Sequence, residues 1–108
     1  MSYRLIMSIV NRGFETTVMD AARSAGATGG TLINARGAGA HEAEKLFGIA
    51  VHPEKELVLI LSPEEKCDAI IRAVAEKAGL KTLGAGICFA LPVEDVLGIT
   101  MGIEERAE

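Results

Sequence analysis

Histidine and carboxylate side chains gather in one short stretch of this chain, and such side chains can hold a transition metal. His41 and His52 flank Glu42 and Glu44, and imidazole with carboxylate suits Zn²⁺ or Ni²⁺. The histidines match no short ligand spacing such as His-x-x-x-His. The stretch is therefore either a metal site built from His41 and His52 or a run of solvated loop residues.

The serine residues show no catalytic pattern. Covalent catalysis needs a nucleophile held beside a base, and none of the serines lies in a nucleophile-elbow motif. The chain carries four of them, Ser2, Ser8, Ser24 and Ser62. The sequence therefore predicts a protein that is not an enzyme.

Glycines form two clusters, each next to an apolar segment. The first runs from Gly26 to Gly39 around the apolar residues 31–35, and the second is Gly84-Ala85-Gly86 before residues 87–91. Glycine at this density marks sharp turns or close backbone approach. The clusters are either turns that the fold requires or the walls of one pocket shared by two strands.

Two cations lie beside these clusters. Arg36 ends the first apolar segment, and Lys81 precedes the second cluster. They either meet an anionic ligand or are ordinary exposed side chains.

Composition limits the class of protein. The 108 residues suit one domain, residues 1–108, and the net charge of -4 without a basic block argues against nucleic-acid binding. Cys67 and Cys88 lie in apolar patterns without Cys-x-x-Cys spacing, so we expect reduced core thiols. The apolar run 5–10 is too short for a leader or a membrane span. A cytoplasmic protein without direct membrane insertion is expected.

Apolar periodicity predicts strands over 5–10, 31–35, 56–61 and 87–91, and helices over 14–25 and 63–78. The second helix is expected to begin with Ser62 as N-cap and a capping box closed by Glu65. Residues 92–96 suggest a turn of helix, and 40–52 a long connection without regular pattern. The order is that of a ferredoxin-like α+β fold, βαββαβ, whose four-stranded antiparallel sheet carries both helices on one face. Another subunit is expected to cover the apolar opposite face.

Four segments, 26–31, 36–39, 84–89 and 91–96, resemble the P-II nitrogen-regulatory signal proteins in order and spacing. The run from Leu91 to Val96 is the most specific of them. The resemblance implies a compact homotrimer with nucleotide sites in the clefts between subunits. It also implies a T-loop, here the shortened segment 40–52, which docks onto a partner such as a membrane transporter in response to nitrogen status.

The resemblance assigns the site. An adenine nucleotide or nucleoside is expected in the cleft, where residues 84–90 form a glycine loop leading into a strand. The expected ligand-binding residues are Thr28, Gly29, Arg36, Gly37, Ala38, Gly39, His41, Gly84, Ala85, Gly86, Ile87 and Phe89. Leu46, Phe47 and Ile49 are expected either to bind the partner or to pack against a neighbouring subunit.

Three cations of the family site are replaced. The family's phosphate-binding lysine falls at Ile87, and two basic residues of its C-terminal strand fall at Gly98 and Thr100. At ~1.5 kcal/mol each, their loss weakens ATP binding about a thousandfold. A base or nucleoside with less phosphate is then the expected effector. The alternatives are a metal-responsive trimer, since divalent-cation tolerance proteins share this architecture, a small enzyme, or an association module without ligand.

Overall fold

A computed structural model of the chain describes residues 2–37, 44–46, 49–51, 54–82 and 85–98. The elements in these ranges, in chain order, are β1 Tyr3–Asn11, α1 Glu15–Ser24, β2 Thr31–Arg36, β3 Glu44–Leu46, β4 Ile49–Val51, β5 Glu54–Pro63, α2 Glu64–Lys77 and β6 Gly86–Val93. Four strands form one antiparallel sheet in the order β2, β5, β1, β6. The predicted ferredoxin-like α+β arrangement is confirmed.

Both helices pack on one face of this sheet. The even-numbered apolar residues of the two central strands point to this face, and Ile6, Val10, Val58 and Ile60 are fully buried there. They form one hydrophobic core with residues of α1 and α2. The helix residues in that core are Val18, Met19, Ala21, Ala22, Cys67, Ile70, Val74 and Ala78.

The opposite face of the sheet, which we call the open face, is covered by neither helix. The strand register aligns its odd-numbered side chains in three apolar rows. The rows are Leu61-Leu5-Leu91, Leu59-Met7-Phe89 and Ile33-Leu57-Ile9-Ile87. Ile33, Ile87 and Leu91 are each more than two-fifths exposed, so the open face presents a continuous apolar surface of the kind that binds a partner.

The predicted capping box at the start of the second helix is wrong. Strand β5 continues through Ser62 to Pro63, which pairs with Tyr3 of β1, and the helix begins one residue later with Pro63 as N-cap and no side-chain cap. The Ser62 hydroxyl donates instead to the Pro63 carbonyl oxygen at 2.8 Å. The Glu64 amide donates to the Ser2 carbonyl oxygen at 2.9 Å. Pairing of Ser62 and Pro63 with β1 therefore takes the place of the side-chain cap that the sequence predicted.

The predicted turn of helix over 92–96 is also wrong. Pro92 and Val93 belong to β6 and pair with Arg4 and Tyr3. Because β6 is an edge strand, Pro92 can lie in it without a backbone donor. Residues 94–98 follow without helix.

The connection 40–52 is more regular than its sequence suggests. Strands β3 and β4 pair as a hairpin, with Leu46 directly opposite Ile49. Phe14 also departs from expectation, because it is the N-cap residue of α1 and 47% exposed rather than part of its buried face.

The helix ends follow the glycine signals. Gly26 after α1 has φ +114°, and Gly79 after α2 has φ +66°, which are values that glycine adopts at little cost. Both predicted helix stops are confirmed.

Gly86 is required by close backbone approach within the sheet. It pairs with Val10 and has φ +137°, and a Cβ there would lie 2.3 Å from the Ile9 carbonyl oxygen and 3.2 Å from the Val10 Cα. Part of the second glycine cluster thus has a structural reason independent of any ligand.

Replacing Gly86→Ala is expected to lower the free energy of unfolding by about 3 kcal/mol, because strained φ and backbone overlap act together. Urea unfolding at one fixed protomer concentration measures this. The control is Gly29→Ala, where the added Cβ meets nothing within 4 Å and the change should stay within about 1 kcal/mol. Equal effects at both positions would contradict the close-approach explanation.

Candidate functional site

Charged side chains gather at one end of the sheet, where β2 ends, β5 begins and β1 turns toward α1. They line an open cleft of about 460 Å³. The lining residues are Arg12, Asn34, Ala35, Arg36, Glu54, Lys55 and Glu56. The residues that flank the segment 38–53 meet at this cleft, because Arg36 comes just before the segment and Glu54 just after it.

An ion pair closes one side of this cleft. The Arg12 guanidinium donates to the Glu54 carboxylate, and the Arg12 amide donates to the Glu54 carbonyl oxygen at 3.2 Å. The hydrogen bond and charge of Arg12 lower the pKa of Glu54, and the charge of Arg36 adds a smaller effect in the same direction. The pair therefore links the turn after β1 to the start of β5.

Two charged residues of the cleft are buried. Lys55 is 6% exposed and Glu56 is 7% exposed. The Lys55 ammonium donates to the Asn11 amide oxygen at 2.5 Å. The Asn34 amide nitrogen lies 2.6 and 3.1 Å from the two Glu56 oxygens in the amide orientation that satisfies both groups. Each buried charge thus has an asparagine partner, as buried charges require.

Arg36 is the remaining cation of the cleft. It is exposed, and in the described part of the chain its side chain makes no hydrogen bond or ion pair. Its five N–H donors are therefore available to an anionic ligand from the cleft.

The described residues of the two glycine segments do not meet within one chain. Arg36 and Gly37 lie at the end of β2, and Gly86 and Ile87 begin β6. These strands form opposite edges of the sheet with β5 and β1 between them, a separation of about 14 Å at the usual strand spacing. Both segments lie at the same end of the sheet, because Gly86 pairs with Val10 and Arg36 with Glu54. The described residues of the two segments therefore do not line one pocket within a single chain, and the cleft that the resemblance implies between subunits stays a prediction.

The other predicted ligand-binding residues lie in separate parts of the structure. Thr28 and Gly29 precede β2, a strand length away from Arg36. Phe89 lies in the middle row of the open face on the edge strand β6, and Ala85 donates its amide to the Thr82 carbonyl oxygen in the turn before β6. Four further predicted residues, Ala38, Gly39, His41 and Gly84, lie outside the described residues.

The partner and metal predictions fall mainly outside the described ranges. Phe47, His41 and His52 lie outside them, while Leu46 and Ile49 are described only by their pairing in the hairpin. Within the described ranges, no group of three or more His, Cys, Asp or Glu side chains is placed to hold a metal ion. The metal alternative at His41 and His52 stays a prediction.

Most cleft residues were not predicted from the sequence, and Arg36 is the exception. Arg12 and Glu54 lie 42 residues apart in the chain, and Lys55 and Asn11 lie 44 apart. The only available signal was that charged residues adjoin the ends of three predicted strands. Finding the cleft needed the pairing of β1 with β5, which local patterns do not give.

The cysteines are free thiols, as predicted. Burial raises the pKa of the Cys67 thiol. Burial also raises the pKa of the Cys88 thiol, which accepts a hydrogen bond from the Ser8 hydroxyl at 3.3 Å. Both therefore stay protonated and serve as packing residues near neutral pH. Neither described helix has the length and apolar character of a membrane span.

Comparisons with known proteins give the family of this chain and a solved structure of similar fold. The family model described as nitrogen regulatory protein P-II matches residues 3–102, so the chain belongs to the P-II family of signal-transduction proteins. A crystal structure of Arabidopsis thaliana PII bound to citrate is similar with a TM-score of 0.73 and 25% identity, covering 94% of this chain and 86% of that one. No curated protein matches the chain significantly.

Replacing Arg12→Met is expected to return the pKa of the Glu54 carboxyl group toward its ordinary value of 4.5, because the donor and its charge are removed. Carbon-detected NMR titration of the glutamate carboxyl groups measures this directly. In the wild type, Glu54 has its pKa lowered on folding, so the pair stabilises the fold above the unfolded pKa. That contribution is lost as pH falls through the folded pKa.

The stability difference between wild type and Arg12→Met should accordingly disappear in acid. Arg23→Met, which removes an exposed cation from the last turn of α1, is the control and should leave Glu54 unchanged. A Glu54 pKa that stays equally low in Arg12→Met would show that another group holds it.

Proposed function

We propose that this P-II protein is a homotrimer that binds a small effector in the clefts between its subunits and controls a partner protein through residues 40–52. The effector belongs to the adenine nucleotide or nucleoside class, and a membrane transporter is the expected partner. The position of the two glycine segments carries the proposal. Gly37 and Gly86 lie at the same end of the sheet but at opposite edges, so a ligand that touches both needs two copies of the chain.

The open face supports the assembly. Its three rows contain ten apolar side chains from four strands, and burying such a surface stabilises an assembly by about 25 cal/mol per Å². When copies of the chain bury this face against one another in a closed, symmetric oligomer, no apolar face is left to bind further copies. The trimeric number of copies comes from the family resemblance.

The residues at the start of β6 support an effector with little phosphate. Ile87, at the position of the family's phosphate-binding lysine, is apolar and 56% exposed. Such a side chain contacts a base or ribose rather than a polyphosphate. The similar Arabidopsis PII was solved with citrate, which shows that a protein of this fold accepts a small anion.

The charged cleft supports coupling between effector and loop. Arg36 and Glu54 border the segment 38–53 on its two sides, and Arg12 holds Glu54 in place. A ligand that contacts this cleft acts on both ends of the segment. The switch requires that the effector bind two states of the segment with different free energies.

Replacing Phe89→Glu is expected to dissociate the trimer, because it places a charge in the middle row of the open face. Sedimentation equilibrium should give three times the chain mass of 11.4 kDa for the wild type and a single chain mass for the variant. Leu97→Glu is the matched control, since Leu97 is 88% exposed after the end of β6, and it should remain trimeric. A monomeric wild type would overturn the proposed assembly.

Replacing Ile87→Lys is expected to strengthen ATP binding about tenfold, since one charged contact to phosphate contributes ~1.5 kcal/mol. Calorimetric titration with ATP, ADP, AMP and adenosine measures this. Ile87→Gln is the control of similar size without charge and should leave ATP affinity near that of the wild type. If no adenine compound binds the trimeric wild type or the lysine variant, the effector class is wrong.

A further inference from the structure

The cleft beside Arg36 carries both signs of charge in a confined space. Its lining includes the charged residues Arg12, Arg36, Lys55, Glu54 and Glu56, of which Lys55 alternates to the open face together with its partner Asn11. Two of these five residues are less than a tenth exposed. Burying charged groups is costly, so such a cleft is not expected from surface solvation alone.

The strand register places the polar groups of the cleft in two adjacent rows. Asn34 pairs with Glu56, and Arg36 pairs with Glu54, on the face of the sheet that carries the helices. Successive side chains on one face of a strand lie about 7 Å apart. The backbone positions of Arg36 and Glu56 are therefore separated by one such step along the two strands, and both residues line the cleft.

After the hydrogen bonds within the cleft are counted, one cation and one carboxylate can still bind a ligand. Arg12 occupies Glu54 through a hydrogen bond, whereas the Asn34 nitrogen supplies donors to Glu56. A carboxylate has about four acceptor positions, more than the N–H groups of one amide can fill. Glu56 thus retains capacity for a donor, and Arg36 for an acceptor.

We infer that this cleft binds a small zwitterion of the α-amino-acid class, with its carboxylate on Arg36 and its ammonium group on Glu56. The ammonium offers three donors and a positive charge that offsets the burial of Glu56. A ligand with a second carboxylate would instead face Glu54 and Glu56 with like charge. Arg36 is also among the residues expected to bind the effector proposed above, so the two ligands share that residue, but the inference does not rest on adenine binding.

The test is calorimetric titration of the whole protein with the twenty common L-amino acids. The tightest-binding amino acid is compared with its 2-oxo acid, which lacks the ammonium group, and its carboxamide, which lacks the carboxylate. Both analogues are expected to bind at least about tenfold more weakly, the effect of losing one charged contact.

Two variants assign the contacts. Glu56→Gln should abolish the preference for the amino acid over its 2-oxo acid, and Arg36→Gln should abolish the preference over the carboxamide. Glu76→Gln and Arg72→Gln change exposed residues of α2 and should leave both preferences intact. Since Arg36 is exposed, its variant keeps the test decisive even if the change at buried Glu56 prevents folding.

The inference is overturned if no amino acid binds, if the 2-oxo acid binds as tightly as the amino acid, or if Arg36→Gln leaves the carboxamide preference intact. Adenine binding is measured separately with the Ile87 variants. A failure of the amino-acid site is thus distinguishable from a failure of the proposed effector.

Discussion

The register of β1 between β5 and β6 is the constraint on which the rest of this structure depends. Because side chains alternate along a strand, this single register sends Ile6 and Val10 into the helical core and Met7 and Ile9 to the open face. A shift by one residue would exchange the two sets. Ser8 also lies in the core row, where its hydroxyl is satisfied by Cys88.

The same register creates the polar end of the sheet. Beyond the last apolar row, β5 begins with Glu54, Lys55 and Glu56, and its pairing with Asn11 and Asn34 supplies partners for the buried charges. A buried charge that lost its partner would destabilise the fold strongly. The buried charges of the cleft are therefore held by paired strands, which gives them a fixed geometry.

The proposed effector site and the charged cleft differ in where their residues lie on the sheet. Gly37 and Gly86 lie at opposite edges of the sheet, whereas the described residues of the charged cleft come together within one chain. The site proposed between subunits therefore depends on assembly, whereas the charged cleft does not. Both lie beside the segment 38–53, where a partner is expected to bind.

The sequence by itself determined the fold. Short apolar runs located the four strands of the main sheet, helical spacing located α1 and α2, and Gly26 and Gly79 set where the helices end, because these are local preferences of the backbone. Only the tertiary structure decided that Ser62 and Pro92 belong to strands, since pairing with β1 outweighed a local cap and a local turn. It alone brought Arg12 to Glu54 and Lys55 to Asn11 across more than forty residues. Such contacts follow from strand pairing between distant segments, which no local pattern of residues encodes.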